Sequence, residues 1–174
     1  MKITATEEYG VRLILQLAKN LASKSEEASA TDVEQQDVLV SLNELSQAEG
    51  ITTDYVASLI SKLRKAELVE SVRGKNGGYK LCKDPKQITL LEICKGLGGS
   101  AFTETFCDTH TGNEEICVHS KECSVRPVWS ILSNTINIVL SHISLADLMD
   151  SEDNCLQDLR ERFRVIYQEE AVHG

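Results

Sequence analysis

Apolar residues recur at helical spacing near the start of the chain. Val11, Ile14, Leu15, Leu17, Ala18 and Leu21 mark one face of a helix over residues 5–21. Thr4 or Thr6 can cap its start, and Glu7 and Glu8 suit the first turn. Residues 22–40 are poor in large apolar groups, and SKSEEASATDVEQQD reads as a loop insertion. Ser41 followed by Glu44 is a capping box that opens a short helix ending at Gly50. Thr52 or Thr53 then caps a second helix over 54–67, with a partly exposed Tyr55 and Val56, Leu59, Ile60, Leu63 and Ala66 on one side. Two short helices around a glycine-containing turn predict a helix-turn-helix.

The runs LVESVRG and YKLC flank a Lys-Asn-Gly-Gly turn, which predicts a β-hairpin, and so a wing, directly behind that motif. Residues 88–97 form another short helix capped by Thr89. Residues 98–123 are irregular and hold three cysteines. A long helix follows over 124–143, with Val125, Val128, Trp129, Ile131, Leu132, Ile136, Val139, Leu140 and Ile143 at its apolar positions. Ser144 caps a last turn at 145–149, and 150–174 is a charged tail. The expected organisation is a DNA-binding domain over 1–97 with the 22–40 insertion, a sensor loop over 98–123, a long helix region over 124–149, and the tail. The fold class is mainly α with a small β-hairpin wing.

Charge changes the picture locally. The chain has 174 residues and a formal net charge of −9, which by itself argues against nucleic acid. Between residues 58 and 86, however, eight basic residues stand against three acidic ones, a local net charge of +5. A basic stripe on an acidic body can hold phosphates while the rest repels DNA. On the second helix Thr52, Thr53, Tyr55 and Ser58 are placed to meet base edges, and Lys62, Arg64 and Lys65 to meet phosphates. At the wing, Arg73, Lys75, Asn76, Gly77 and Gly78 suit a narrow groove. Tyr79, two residues past the turn, suits the core. The partner implied is double-stranded DNA.

No apolar run is long enough for a membrane span, and the start of the chain has no signal-peptide pattern. A cytoplasmic, reducing location follows, in which clustered cysteines suit metals or redox chemistry. Cys82 and Cys94 sit in apolar patterns and read as core thiols, Cys155 as incidental, and His142 as structural. Cys107, Cys117 and Cys123 are spaced C-x9-C-x5-C. Thiolates suit iron–sulfur clusters or zinc, and the spacing matches neither zinc ribbons nor ferredoxins. Three thiolates leave one ligand to find. His110 and His119 lie in the same loop. A loop of metal-free, switching thiols is the other reading. No cysteine is set in a catalytic motif, and the wing glycines lack phosphate-loop spacing, so an enzyme is not expected. A protein-interaction winged helix without DNA binding is a further alternative.

The run GITTDYVASLISKLRKAELVESVRGKNGGYKL resembles winged-helix regulators of the IscR, NsrR and CymR type. The opening MKIT–EEYGVRLILQLA and the cysteines followed by RPVW resemble the first helix, sensor loop and dimerisation helix of that family. The resemblance implies a homodimer crossing through the long helices, and two recognition helices on a two-fold operator. The apolar face of 124–143 asks for a partner independently. The resemblance also implies an iron–sulfur cluster, with 2Fe-2S favoured over 4Fe-4S, that reports iron–sulfur, iron or redox status. NsrR-like members place an acidic ligand where Glu8 stands, so Glu8 of the other subunit is the preferred fourth ligand, ahead of His110 and His119. Three departures matter. IscR-like members carry a histidine ligand where this chain has Arg126, which stays protonated and cannot ligate. The first cysteine spacing is four residues longer than theirs. Ala57 stands where they carry an acidic residue on the recognition helix.

Overall fold

The computed structural model describes residues 3–27, 39–74, 77–99 and 111–172, without the side chains of 24–27 and 165–172. The first helix, α1 (Ala5–Glu27), runs six residues past its predicted end. No glycine or proline stops it there, and the Asn20 and Ser23 side chains bond back to the carbonyls of Gln16 and Lys19. Leu13, Ile14, Leu17 and Ala18 are buried along one stripe. That stripe packs on α2 (Leu42–Glu49) and α3 (Thr53–Lys65), whose Leu45, Val56, Leu59, Ile60 and Leu63 complete the core.

Local rules account for these helices. Ser41 and Glu44 form the expected capping box. Gly50 takes the left-handed conformation, φ +65°, that turns the chain between α2 and α3. Thr52 Oγ1 accepts from the Tyr55 N–H and caps α3. The helix stops two residues before its predicted end because Glu67 adopts φ +57° and the Leu68 N–H returns to the Leu63 carbonyl. That turn drops Leu68 and Val69 into the core.

Strands β1 (Val69–Val72) and β2 (Gly78–Leu81) pair antiparallel, with Val69 opposite Leu81 and Val72 opposite Gly78. Val40, ahead of α2, adds a bridge to Tyr79, exchanging both backbone hydrogen bonds at 3.0 and 2.9 Å. Gly78 is needed there, since a Cβ would stand 2.9 Å from the Val40 carbonyl oxygen. Tyr79 packs on the core, as its position after the turn suggests.

Helix α4 (Leu90–Gly96) begins at a second capping box, Thr89 with Glu92. The Thr89 backbone N–H holds the Glu92 carboxyl below its ordinary pKa. Helix α5 (Arg126–Ser141) packs on α4. Its end is stitched to the core: Leu90 N–H donates to Ile143 O, and Leu145 N–H to Ile88 O, each at 2.8 Å. Ile88, Ile143 and Leu145 are buried by this stitch.

The charged tail forms a helix, α6 (Glu152–Val172). It is held by a clamp that the local pattern does not display. Arg162 reaches Asp147 through Nη1 and Nη2, at 2.8 and 3.0 Å, donates to the His142 carbonyl, and pairs with Asp158 one turn away. The bond from Arg162 lowers the Asp147 carboxyl to about 2.

Candidate functional site

Two regions carry the candidate chemistry. The first is the exposed edge shared by α2, α3 and the hairpin. Thr52, Thr53, Asp54 and Ser58 are exposed at the start of α3. Thr53 Oγ1 donates to Ser46 Oγ at 3.4 Å, which ties the two helices of the motif together. Tyr55 is half-buried, edge-to-face on Tyr9 with ring centroids 6.0 Å apart. Arg12 lies over the Tyr9 ring and bonds the buried Glu49 carboxylate at 2.6 Å.

An open groove runs between the start of α2 and the wing. Ser41 and Asn43 line it from α2, Arg64 from α3, and Ser71, Arg73 and Gly77 from the hairpin. A helix start beside two guanidinium groups suits phosphate oxygens. Lys65 is exposed on the last turn of α3. The structure therefore brings Arg64 and Arg73 together, and Gly77 and Gly78 shape the turn. Lys75 and Asn76 lie outside the described residues. Ser41 and Asn43 were not foreseen as part of this edge. Their capping pattern is visible in the sequence, but their place beside the wing depends on the Val40–Tyr79 bridge.

Lys62 is placed differently from its sequence expectation. Its ammonium donates to the Leu97 carbonyl at 3.3 Å, at the end of α4. It lines a cleft of about 670 Å³ with Glu7, Glu8, Cys94, Ile136 and Leu140.

The second region is the cysteine loop. Cys117 and Cys123 are free, half-exposed thiols on its turns. The Ser120 N–H donates to the Cys117 carbonyl at 2.9 Å. Arg126 Nη2 donates to the carbonyls of Ser120, at 2.8 Å, and His119, at 3.3 Å. Cys107 and His110 lie outside the described residues. Glu8 is exposed on α1 and lines the cleft. Among the described residues no three His, Cys, Asp or Glu side chains gather closely enough to hold a metal. Glu8, Cys117 and Cys123 of one chain thus do not meet. The donor chemistry still fits a soft metal group, because two accessible thiols flank a single ordered turn.

The other described cysteines lie outside this loop. Cys82 is exposed in the bend just past the end of β2, which corrects the reading of it as a core thiol. Partial burial and the nearby Glu70 and Glu67 raise its thiol pKa. Burial and Glu7 do the same for Cys94. Burial, with Asp147 and Asp158, raises that of Cys155. His142 is structural: its Nδ1 lies 2.7 Å from the Ile138 carbonyl oxygen.

Residues 3–151 match the family described as Rrf2, Iron-dependent Transcriptional regulator. The HTH-type transcriptional regulator IscR of Aliivibrio salmonicida is 34% identical over 162 residues, covering 93% of this chain and 84% of that one. IscR of Yersinia pseudotuberculosis is 32% identical over 153 residues, 88% of this chain and 82% of its own. Among solved structures, T. potens IscR superposes with a TM-score of 0.61 at 28% identity, covering 86% of each chain. CymR of B. subtilis, titled the global cysteine regulator, also gives 0.61, at 27% identity over 86% of this chain and 96% of its own. The family description and these names are those of transcription regulators, not of enzymes.

Proposed function

As the chain belongs to the Rrf2 family of transcriptional regulators, we propose that it is a homodimeric, cytoplasmic DNA-binding sensor whose cysteine loop holds an iron–sulfur cluster. One observation carries the DNA half of this reading. Arg64 of the recognition helix and Arg73 of the wing line one groove beside the start of α2. The exposed Thr52, Thr53 and Ser58 at the start of α3 are then the base-reading side chains, and Arg64, Lys65 and Arg73 meet phosphates.

The sensing half rests on the loop. Cys107, Cys117 and Cys123 would hold the cluster, with Glu8 of a second copy as fourth ligand and His119 or His110 as substitutes. When bound, the cluster supplies an iron- and oxidation-sensitive crosslink whose assembly or loss reports cellular iron and redox status. We favour 2Fe-2S because such clusters accept mixed thiolate and carboxylate or imidazole ligation. Arg126 holds the Ser120 and His119 carbonyls and thereby fixes the turn between the two described thiols.

The second copy is argued from α5. Val125, Val128, Ile131 and Leu132 are each at least 43% exposed on this helix, more apolar surface than a single chain leaves to solvent without use. Two chains that bury it against each other present two recognition helices to a two-fold site.

A metal-free thiol switch is the second reading. It is favoured by the described residues of one chain not assembling three metal donors. Anaerobic purification followed by absorption and electron paramagnetic resonance spectroscopy separates the two. Iron and acid-labile sulfide in near-equal amounts, lost in Cys117→Ala, support the cluster. A colourless, iron-free protein whose Cys117→Ala variant keeps wild-type DNA affinity under reducing and oxidising conditions overturns sensing by this loop.

A further inference from the structure

The sensor loop leaves the winged-helix core at residues 96–99, and four close contacts converge there. The Leu97 side chain is 2% exposed and seated against Gly10 of α1, in a notch that any Cβ would fill. Gly96 lies over Ala66, the residue capping the recognition helix; a Cβ on it would stand 2.6 Å from the Ala66 Cβ. Gly99 lies directly on the Glu7 carboxylate of α1. Lys62 of the recognition helix donates to the Leu97 carbonyl at 3.3 Å. Two further bonds close the end of α4, from Gly98 N–H to Lys95 O and from Gly99 N–H to Cys94 O.

We infer that Lys62 is a positioning residue: it bolts the recognition helix to the root of the sensor loop, so that the state of the loop reaches the DNA-reading helix through Leu97. The inference rests on the sensing role proposed above. The Leu97 carbonyl is among the last of α4, where helix carbonyls lack partners and a cation is favoured. The contacts around it are too close to absorb movement by compression, because packed interiors shift between discrete arrangements. A pull on Gly98 or Gly99 therefore displaces Leu97 from the Gly10 notch or carries α3 with it. Either result changes the setting of α3 against α1. A lysine spent on Leu97 is also not spent on a DNA phosphate, and this separates the two roles experimentally.

The test uses the full chain and two variants, Lys62→Met and Lys62→Arg. Hydrogen exchange is measured on the metal-free protein. The Gly98 and Gly99 amides exchange about tenfold faster in Lys62→Met, the expected loss for one hydrogen bond to a charged group, and return towards wild type in Lys62→Arg. DNA affinity is measured on a duplex selected from a random pool, with protein as isolated anaerobically and after iron chelation. In Lys62→Met the ratio of the two affinities moves towards one, while the salt dependence of binding keeps its wild-type slope. A slope reduced by about 0.9 with the ratio intact would overturn the inference and return Lys62 to the phosphates. A wild-type ratio of one overturns the sensing role and not the joint. In that case equal exchange at Gly98 and Gly99 in Lys62→Met and wild type overturns the joint.

Discussion

Arg126 donates from Nη2 to the carbonyl oxygen of Ser120 at 2.8 Å. The contact spans the segment that contains Cys123, and the Ser120 N–H in turn holds the Cys117 carbonyl. A side chain that cannot ligate a metal thus shapes the turn carrying two candidate ligands. A turn ordered in advance loses less conformational entropy on binding a ligand, and pre-ordering of this kind would favour the proposed cluster.

Arg126→Met frees the turn. Affinity for the proposed cluster falls about tenfold, the lower end of the range for residues that orient metal ligands. The rate at which thiol reagents modify Cys117 and Cys123 in the metal-free chain rises. Arg126→His differs: it adds a possible ligand, and the paramagnetic spectrum of the reduced protein shifts. Iron titration and thiol-labelling kinetics read the first variant, and the spectrum reads the second.

Arg64 and Arg73 line one groove and are the phosphate contacts proposed above. Arg64→Ala and Arg73→Ala each lower the salt slope of DNA binding by about 0.9 and weaken binding to all sequences alike. Ser58→Ala instead relaxes preference at one base position, by about 1 kcal/mol. Fluorescence anisotropy with matched and mismatched duplexes at several salt concentrations distinguishes these effects.

Arg12 covers the Glu49 carboxylate, whose side chain is only 3% exposed. Arg12→Met strips the partner from a buried acid and costs about 1–3 kcal/mol. Adding Glu49→Gln recovers part of that loss, since a neutral amide is cheaper to bury than an unpaired charge. Thermal denaturation of the single and double variants shows the sign. A double variant no more stable than Arg12→Met would mean that the charge is not the cost.

Asp147 has its carboxyl pKa lowered to about 2 by Arg162. The native state binds this proton less readily than the unfolded chain. The contribution is therefore present above the ordinary carboxylate range, near 3.8, and is lost as pH falls from there towards 2. The pair is partly exposed, so its worth is screened to about 1 kcal/mol or less. Protease sensitivity of α6 rises in that pH window in wild type, whereas Arg162→Met is equally sensitive at pH 7 and shows no further step there.

Much of the fold is legible in short stretches of chain. Ser41 with Glu44, the left-handed Gly50 and Thr52 are signals completed within a few residues, and the structure uses each where the pattern places it. The hairpin after α3 is likewise read from its turn. The end of α3 is not, because the φ of Glu67 follows from burying Leu68 and Val69. The extent of α6 is not either, since Arg162 finds Asp147 fifteen residues away.

The sequence by itself determined the elements, the basic stripe and the cysteine trio, because propensity, capping and charge act over a turn or two of chain. Tertiary structure alone decided where the long side chains go. Lys62 and Arg64 are two residues apart and alike in charge, yet one holds the Leu97 carbonyl and the other lines the wing groove. Arg126, excluded as a ligand by its chemistry, becomes the clamp of the loop because the Ser120 and His119 carbonyls fold back within its reach. A flexible cation goes to whichever acceptor the packed backbone presents, and no local pattern encodes that choice.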